Sequence, residues 1–103
     1  MYQSMTDLLS QLPAEGNFFF QIDESRQSSV KVFAPHGGCI EPCTGNLVVE
    51  IASGVVDHYI FNGSRKAQCY QTLHVTSTQY DEPKCLSMVR AAMVALAIHG
   101  CEG

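Results

Sequence analysis

The sequence predicts an α/β domain with a mixed, mostly parallel sheet flanked by helices, and three observations predict it. Val30, Val32 and Ala34 alternate with Lys31 and Phe33 at the period of a strand. A Pro- and Gly-rich loop follows at once, from Pro35 to Pro42. Helical spacing then gives way to another strand, and the order strand, loop, helix, strand is the rhythm of a largely parallel sheet.

The elements follow in chain order. Met5, Leu8, Leu9 and Leu12 stand at helical spacing, Ser4 or Thr6 offers an N-cap, and Pro13 ends the helix. Glu15-Gly16 makes a turn into an aromatic strand, Phe18 to Ile22, and polar residues 23–29 connect it to the strand at Val30. The two strands read as a hairpin or as neighbours. Of the three phenylalanines, two are expected in the core and one at its boundary. Pro35 and Gly37-Gly38 stop the second strand and set His36 on a tight turn at its C-terminal end. Thr44 caps a helix over 45–52, which presents Leu47, Val48 and Ile51 on one face and closes at Gly54. His58 to Phe61 is the next strand, and Asn62-Gly63-Ser64 the next turn. Leu73 to Thr76 is a fourth alternating piece. Pro83 opens a helix behind Asp81 or Glu82. Beyond it, Leu86, Val89, Met93 and Leu96 fit one long helix from Lys84 to Ile98, yet Leu96 to Gly100 also fits the end of a strand, and periodicity leaves both readings open.

The 103 residues, 46% of them hydrophobic, fit a single domain, 1–103. A net charge of −4 with only six Lys and Arg speaks against nucleic acid as a partner. No apolar run approaches the roughly 18 residues of a membrane span, and residues 1–7 lack the pattern of a signal peptide, so no membrane partner and a cytoplasmic location are expected. Five cysteines without a CxxC pair read as free thiols in a reducing compartment.

Chemistry concentrates around the glycine bend. His36 offers an imidazole and Glu41, five residues on, a carboxylate, on a loop short enough for both to reach one hard or borderline ion. Cys39, Cys43 and Cys101 make a thiolate site the competitor, and Cys39 or Cys101 beside a histidine would equally suit a thiol-dependent enzyme. His74, between Leu73 and Val75, faces away from both and is either a core or edge histidine or a substrate or outer-sphere contact. Arg65, Lys66 and Arg90 would suit a carboxylate-rich substrate, or are plain surface charges.

Three ordered segments resemble the phage-type poly-γ-glutamate hydrolases, often described as phage-related replication proteins: Ala34-Pro35-His36-Gly37-Gly38-Cys39-Ile40-Glu41-Pro42, Leu73-His74-Val75-Thr76-Ser77-Thr78-Gln79-Tyr80-Asp81-Glu82-Pro83, and Ala97-Ile98-His99-Gly100-Cys101. The resemblance implies a zinc-dependent, carboxypeptidase-like α/β fold, of which this chain is similar to the N-terminal half. It implies one Zn²⁺ held by His36, Glu41 and His99, leaving the open position a catalytic zinc requires. It also implies hydrolysis of γ-glutamyl amide bonds in poly-γ-glutamate or another γ-glutamyl substrate, and a buried strand running from about Met93 to His99. Family members usually read Gly-Thr-Ser-Glu where this chain has Cys43-Thr44-Gly45-Asn46. Their general-base glutamate comes from later strands, and none is evident here. The non-enzymatic alternative is a metal-binding or interaction domain that completes its sheet as a homo-oligomer.

Overall fold

A computed structural model describes residues 2–100 and carries the sheet in the order β1-β3-β2-β4. The strands are β1 (Phe18–Asp23), β2 (Val30–Gly38), β3 (Asp57–Gly63) and β4 (Val94–Ala97). β2 runs parallel to both β3 and β4, while β1 lies antiparallel to β3 at one edge. The sheet is therefore mixed and mostly parallel. Four helices accompany it: α1 (Met5–Gln11), α2 (Thr44–Ala52), α3 (Cys69–Leu73) and α4 (Pro83–Ala91).

Local chemistry accounts for the helix ends. The Ser4 hydroxyl accepts from the Asp7 N–H and caps α1. Glu82 caps α4, accepting from the N–H groups of Lys84 and Cys85, with Pro83 in the first turn, where its missing donor costs nothing. Its carboxylate also accepts from the Tyr59 hydroxyl, itself 2.8 Å from that of Tyr80, so the cap is anchored in the core. Burial and the Glu82 charge push the Cys85 thiol up to about 12, which leaves it inert.

Period two splits the core between the two sheet faces. Phe33, Tyr59 and Phe61 pack with Met5, Leu8, Leu73 and Met88 on one side; Val32, Ala34 and Ile60 pack with Val48 and Ala52 of α2 on the other. Phe18 is buried, Phe20 packs against the first cluster and Phe19 is exposed, as alternation requires.

Four expectations are corrected. β1 and β2 are not a hairpin, because β3 lies between them, and local sequence cannot report a pairing with a strand some forty residues away. The piece from Leu73 to Thr76 joins no sheet: Leu73 closes α3, and extended backbone leads to a 3₁₀ turn at Ser77–Gln79. β4 is a strand, which removes the single long helix, but all four of its residues are exposed rather than buried. Cys39 and Cys69 form a disulfide, so neither is the expected free thiol. The two lie 30 residues apart and meet at a Cα separation of 5.9 Å, a proximity created by the fold and invisible to spacing rules. Cys43 and Cys85 are free, and Cys101 lies outside the described residues.

Candidate metal centre

Parallel pairing brings the C-terminal ends of β2 and β4 side by side, and an open parallel sheet gathers its chemistry at that rim. β2 carries His36, the loop after it Glu41, and the segment beyond β4 His99. A bulge between Ala34 and Gly37 shifts the register against β3 and aims His36. Gly38 is required just after it: its φ is +63°, and a Cβ there would stand 2.3 Å from the Gly63 carbonyl oxygen. The disulfide closes over the same spot, tying the ligand loop to the start of α3.

Glu41 is the hub. Its Oε1 lies 3.2 Å from His36 Nδ1 and 3.8 Å from His99 Nδ1, and accepts from the Gly100 N–H at 3.1 Å. Its Oε2 lies 3.9 Å from His74 Nε2. The loop is braced from beneath, where the Thr44 hydroxyl donates to the carbonyls of His36 and Glu41. His74 is clamped between rings, stacked on Tyr70 at 4.4 Å and on His36 at 4.1 Å. Burial and the neighbouring His36 hold its pKa below the usual histidine range against the pull of Glu41, so it is neutral near pH 7.

The environment of His36 tests whether a metal fits. His36 is buried, and its Nε2 lies 2.5 Å from the Val75 carbonyl oxygen, which can only accept. Nε2 therefore carries the proton, and in the neutral ring Nδ1 presents a lone pair to the carboxylate oxygen 3.2 Å away. With Nε2 held in that way, Nδ1 is the atom left to meet Glu41, and a proton or a metal ion between the two suits the 3.2 Å spacing. A ring N–H given to a backbone carbonyl is also the usual way to fix a metal-ligating histidine. Two nitrogens and one oxygen suit zinc.

Of the sequence-predicted site residues, His36, Glu41, His74 and His99 come together. His36, Glu41 and His74 offer ligand atoms all within 4.8 Å of one another, while His99 joins them through Glu41, its ring centroid 5.3 Å from that of His36. Arg65 spends its guanidinium on Asn17 and the Ala67 carbonyl, fastening the turn before β1 to the end of β3. Arg90, in the last turn of α4, precedes β4 and so stands at the opposite end of that strand from His99. Cys39 is consumed by its disulfide and has no thiolate to offer. Sequence reasoning missed the Val75 carbonyl as partner of His36, since a backbone acceptor leaves no trace in residue type.

Cys43 adopts φ +78°, the left-handed conformation that favours glycine.

Comparison with known proteins identifies relatives in sequence and in fold. Residues 2–103 match the poly-gamma-glutamate hydrolase family. Among curated proteins of Bacillus subtilis (strain 168), the UPF0714 protein YmaC is 32% identical over 95 residues, covering 92% of this chain and 40% of YmaC. The SPbeta prophage-derived UPF0714 protein YoqZ is 38% identical over 71 residues, covering 69% of this chain and 25% of its own length. Among solved structures, YndL in a zinc-free apo form superimposes with a TM-score of 0.84 at 30% identity, and a bacteriophage poly-gamma-glutamate hydrolase with 0.82 at 28%. Each superposition covers 93% of this chain and 46% of the other, so the chain spans less than half the length of these relatives.

Proposed function

The chain belongs to the poly-γ-glutamate hydrolase family, and from that premise we propose that it binds one Zn²⁺ through His36, Glu41 and His99 as the metal-holding part of a hydrolase of γ-glutamyl amide bonds. The observation that carries the proposal is the convergence of two imidazole Nδ1 atoms, one from β2 and one from the segment after the adjacent parallel strand β4, on one oxygen of Glu41. When bound, zinc supplies Lewis acidity to the scissile carbonyl and acidifies water. The chain's own groups do the holding. The Val75 carbonyl keeps His36 in the tautomer that frees Nδ1, and the Gly100 N–H steadies the oxygen shared by both rings. His74, neutral and pinned by stacking, stands at the rim as a hydrogen-bonding group for the substrate amide. Among the described residues no second carboxylate joins the His36, Glu41 and His74 cluster. The proton transfers that amide hydrolysis needs are therefore not assigned to this chain.

Metal analysis of the purified chain tests the reading. One zinc per chain is expected, lost in His36→Ala and in His99→Ala, and a chain of this family is expected to release short oligomers from poly-γ-glutamate. Zinc lost in His74→Ala but retained in His99→Ala would assign the third ligand to His74, the set whose atoms already lie closest. Zinc lost only on cysteine substitution would contradict the proposal.

A further inference from the structure

A disulfide joins two segments that meet at the metal centre. His36 and Glu41 come from β2 and the loop after it, whereas His74 and the Val75 carbonyl come from residues 68–75, which carry α3 and pair with no strand. Among the described residues a single hydrogen bond joins residues 68–75 to the rest of the fold, from His36 Nε2 to the Val75 carbonyl. Burial of Leu73 and Val75 holds the far end of the segment. The near end has little of its own to hold it: α3 has five residues, no side chain caps it, and Gln68 before it is left-handed at φ +53°. Residues 66–68, which lead into it, are exposed. What fixes that end is Cys69, packed on the same core cluster and bonded to Cys39, which lies between His36 and Glu41 in the ligand loop. The fold keeps room for the bond, since a Cβ on Gly63 would stand 2.7 Å from Cys69 Sγ and 2.9 Å from Cys39 Sγ. Both cysteines are only half-buried, which leaves the bond open to a small reductant.

We propose that the Cys39–Cys69 disulfide is a redox-controlled positioning device for the metal centre. Closed, it holds residues 68–75 against the ligand loop, so that the Val75 carbonyl orients the His36 ring and His74 stacks on it. Open, it frees the start of α3, the contact with His36 loosens, and zinc is held more weakly. Opening is a two-electron reduction by a dithiol: one sulfur of the reductant attacks the bond, its second sulfur resolves the mixed disulfide, Cys39 and Cys69 each end as a thiol, and the reductant leaves as its own disulfide. A group that orients a metal-ligating histidine sets metal affinity without touching the metal, and through that route the two sulfurs act. Disulfides persist in oxidising compartments and open in reducing ones, so the same chain would hold zinc tightly in one and weakly in the other. The affinity half of the proposal rests on zinc ligation by His36; the coupling of the disulfide to the His36 ring does not.

Zinc competition titration and ¹⁵N–¹H NMR of the histidine rings test it, on the disulfide-bonded chain, on the chain reduced with dithiothreitol and desalted under nitrogen, and on Cys39→Ser/Cys69→Ser. In the bonded chain the His36 Nε2 proton is expected to exchange slowly, held on the Val75 carbonyl. Reduction and the double substitution are each expected to weaken zinc binding by about 10–100-fold and to bring that proton into fast exchange with water, with circular dichroism unchanged. Reoxidation should restore both readouts in the parent and neither in the double variant. The proposal is overturned if reduction leaves either readout where it was, if it tightens zinc binding, or if the reduced chain unfolds, since the bond would then staple the whole fold rather than position one ring. A bonded chain that binds no zinc would refute zinc ligation by His36, and the Nε2 proton would then decide the coupling alone.

Discussion

The two ends of the sheet each hold an acidic side chain and a basic one, and they hold them in opposite ways. At the N-terminal end, Asp57 of β3 and Lys31 of β2 form an ion pair at 2.5 Å, both buried. The Asp57 carboxylate also accepts from the N–H groups of Arg26 and Ser28, while the Ser28 hydroxyl accepts from the Asp57 N–H. Every charge there has its counter-charge and its donors. At the C-terminal end, Glu41 has one backbone donor, from Gly100, and is otherwise surrounded by imidazole nitrogens. A carboxylate satisfied by the protein is structural. One whose other neighbours are imidazoles is fit to share a cation with them.

That contrast can be broken or sharpened by substitution. The largest effect on folding is expected at the closed end: Asp57→Ala strands a buried ammonium and should cost about 3–5 kcal/mol in chemical denaturation, with zinc stoichiometry unchanged in whatever fraction remains folded. At the open end the order reverses. Glu41→Gln should remove zinc while changing the stability of the metal-free chain by only about 1 kcal/mol or less, since the neutral amide keeps a hydrogen-bonding group among the imidazoles. Between the two stands the disulfide, whose reduction should lower stability by about 3 kcal/mol, given the loop it closes.

Acid separates the ends too. Burial alone would raise the pKa of Asp57, but the hydrogen bond and charge of Lys31 with the donors of Arg26 and Ser28 outweigh it, and the group is held below the ordinary carboxylate value. The native state thus binds fewer protons than the unfolded chain. Its contribution is complete above the unfolded value of ~3.9 and is lost as pH falls through the lower native one. Stability measured from pH 5 downward should fall along this limb, and Asp57→Asn should flatten it. A comparably small effect is expected at Cys43: replacement by glycine, which accepts φ +78° without strain, should stabilise by about 1 kcal/mol in thermal unfolding.

Elements whose signals are local could be read from the sequence. Ser4 and Pro83 mark helix starts, and the apolar alternation of β2 lies beside the glycines that end it, whereas Thr44, expected as a cap, is the first residue of α2 and gives its hydroxyl to the His36 and Glu41 carbonyls. What escaped was set by distant partners. β3 inserts between β1 and β2, Cys69 reaches Cys39 over Gly63, and the segment through His74 is held against the sheet by Leu73 and Val75 without pairing to it. For β4, periodicity leaves helix and strand open and only the family resemblance implies a buried strand; among the described residues nothing lies on its outer side. At the site, His36 and Glu41 were legible because five residues and a glycine bend hold them together. His99 depended on a family resemblance, and the closeness of His74 to Glu41 had no local signal beyond a histidine between two apolar residues.

The most direct measurement is a crystal structure of the zinc-loaded protein with anomalous data at the zinc edge. The account predicts a single peak about 2.0–2.1 Å from Nδ1 of His36, bonded also to Glu41, with Nε2 of His36 still donating to the Val75 carbonyl. A peak on Nε2 of His36 or on a cysteine sulfur, or none at the rim of β2 and β4, would contradict it.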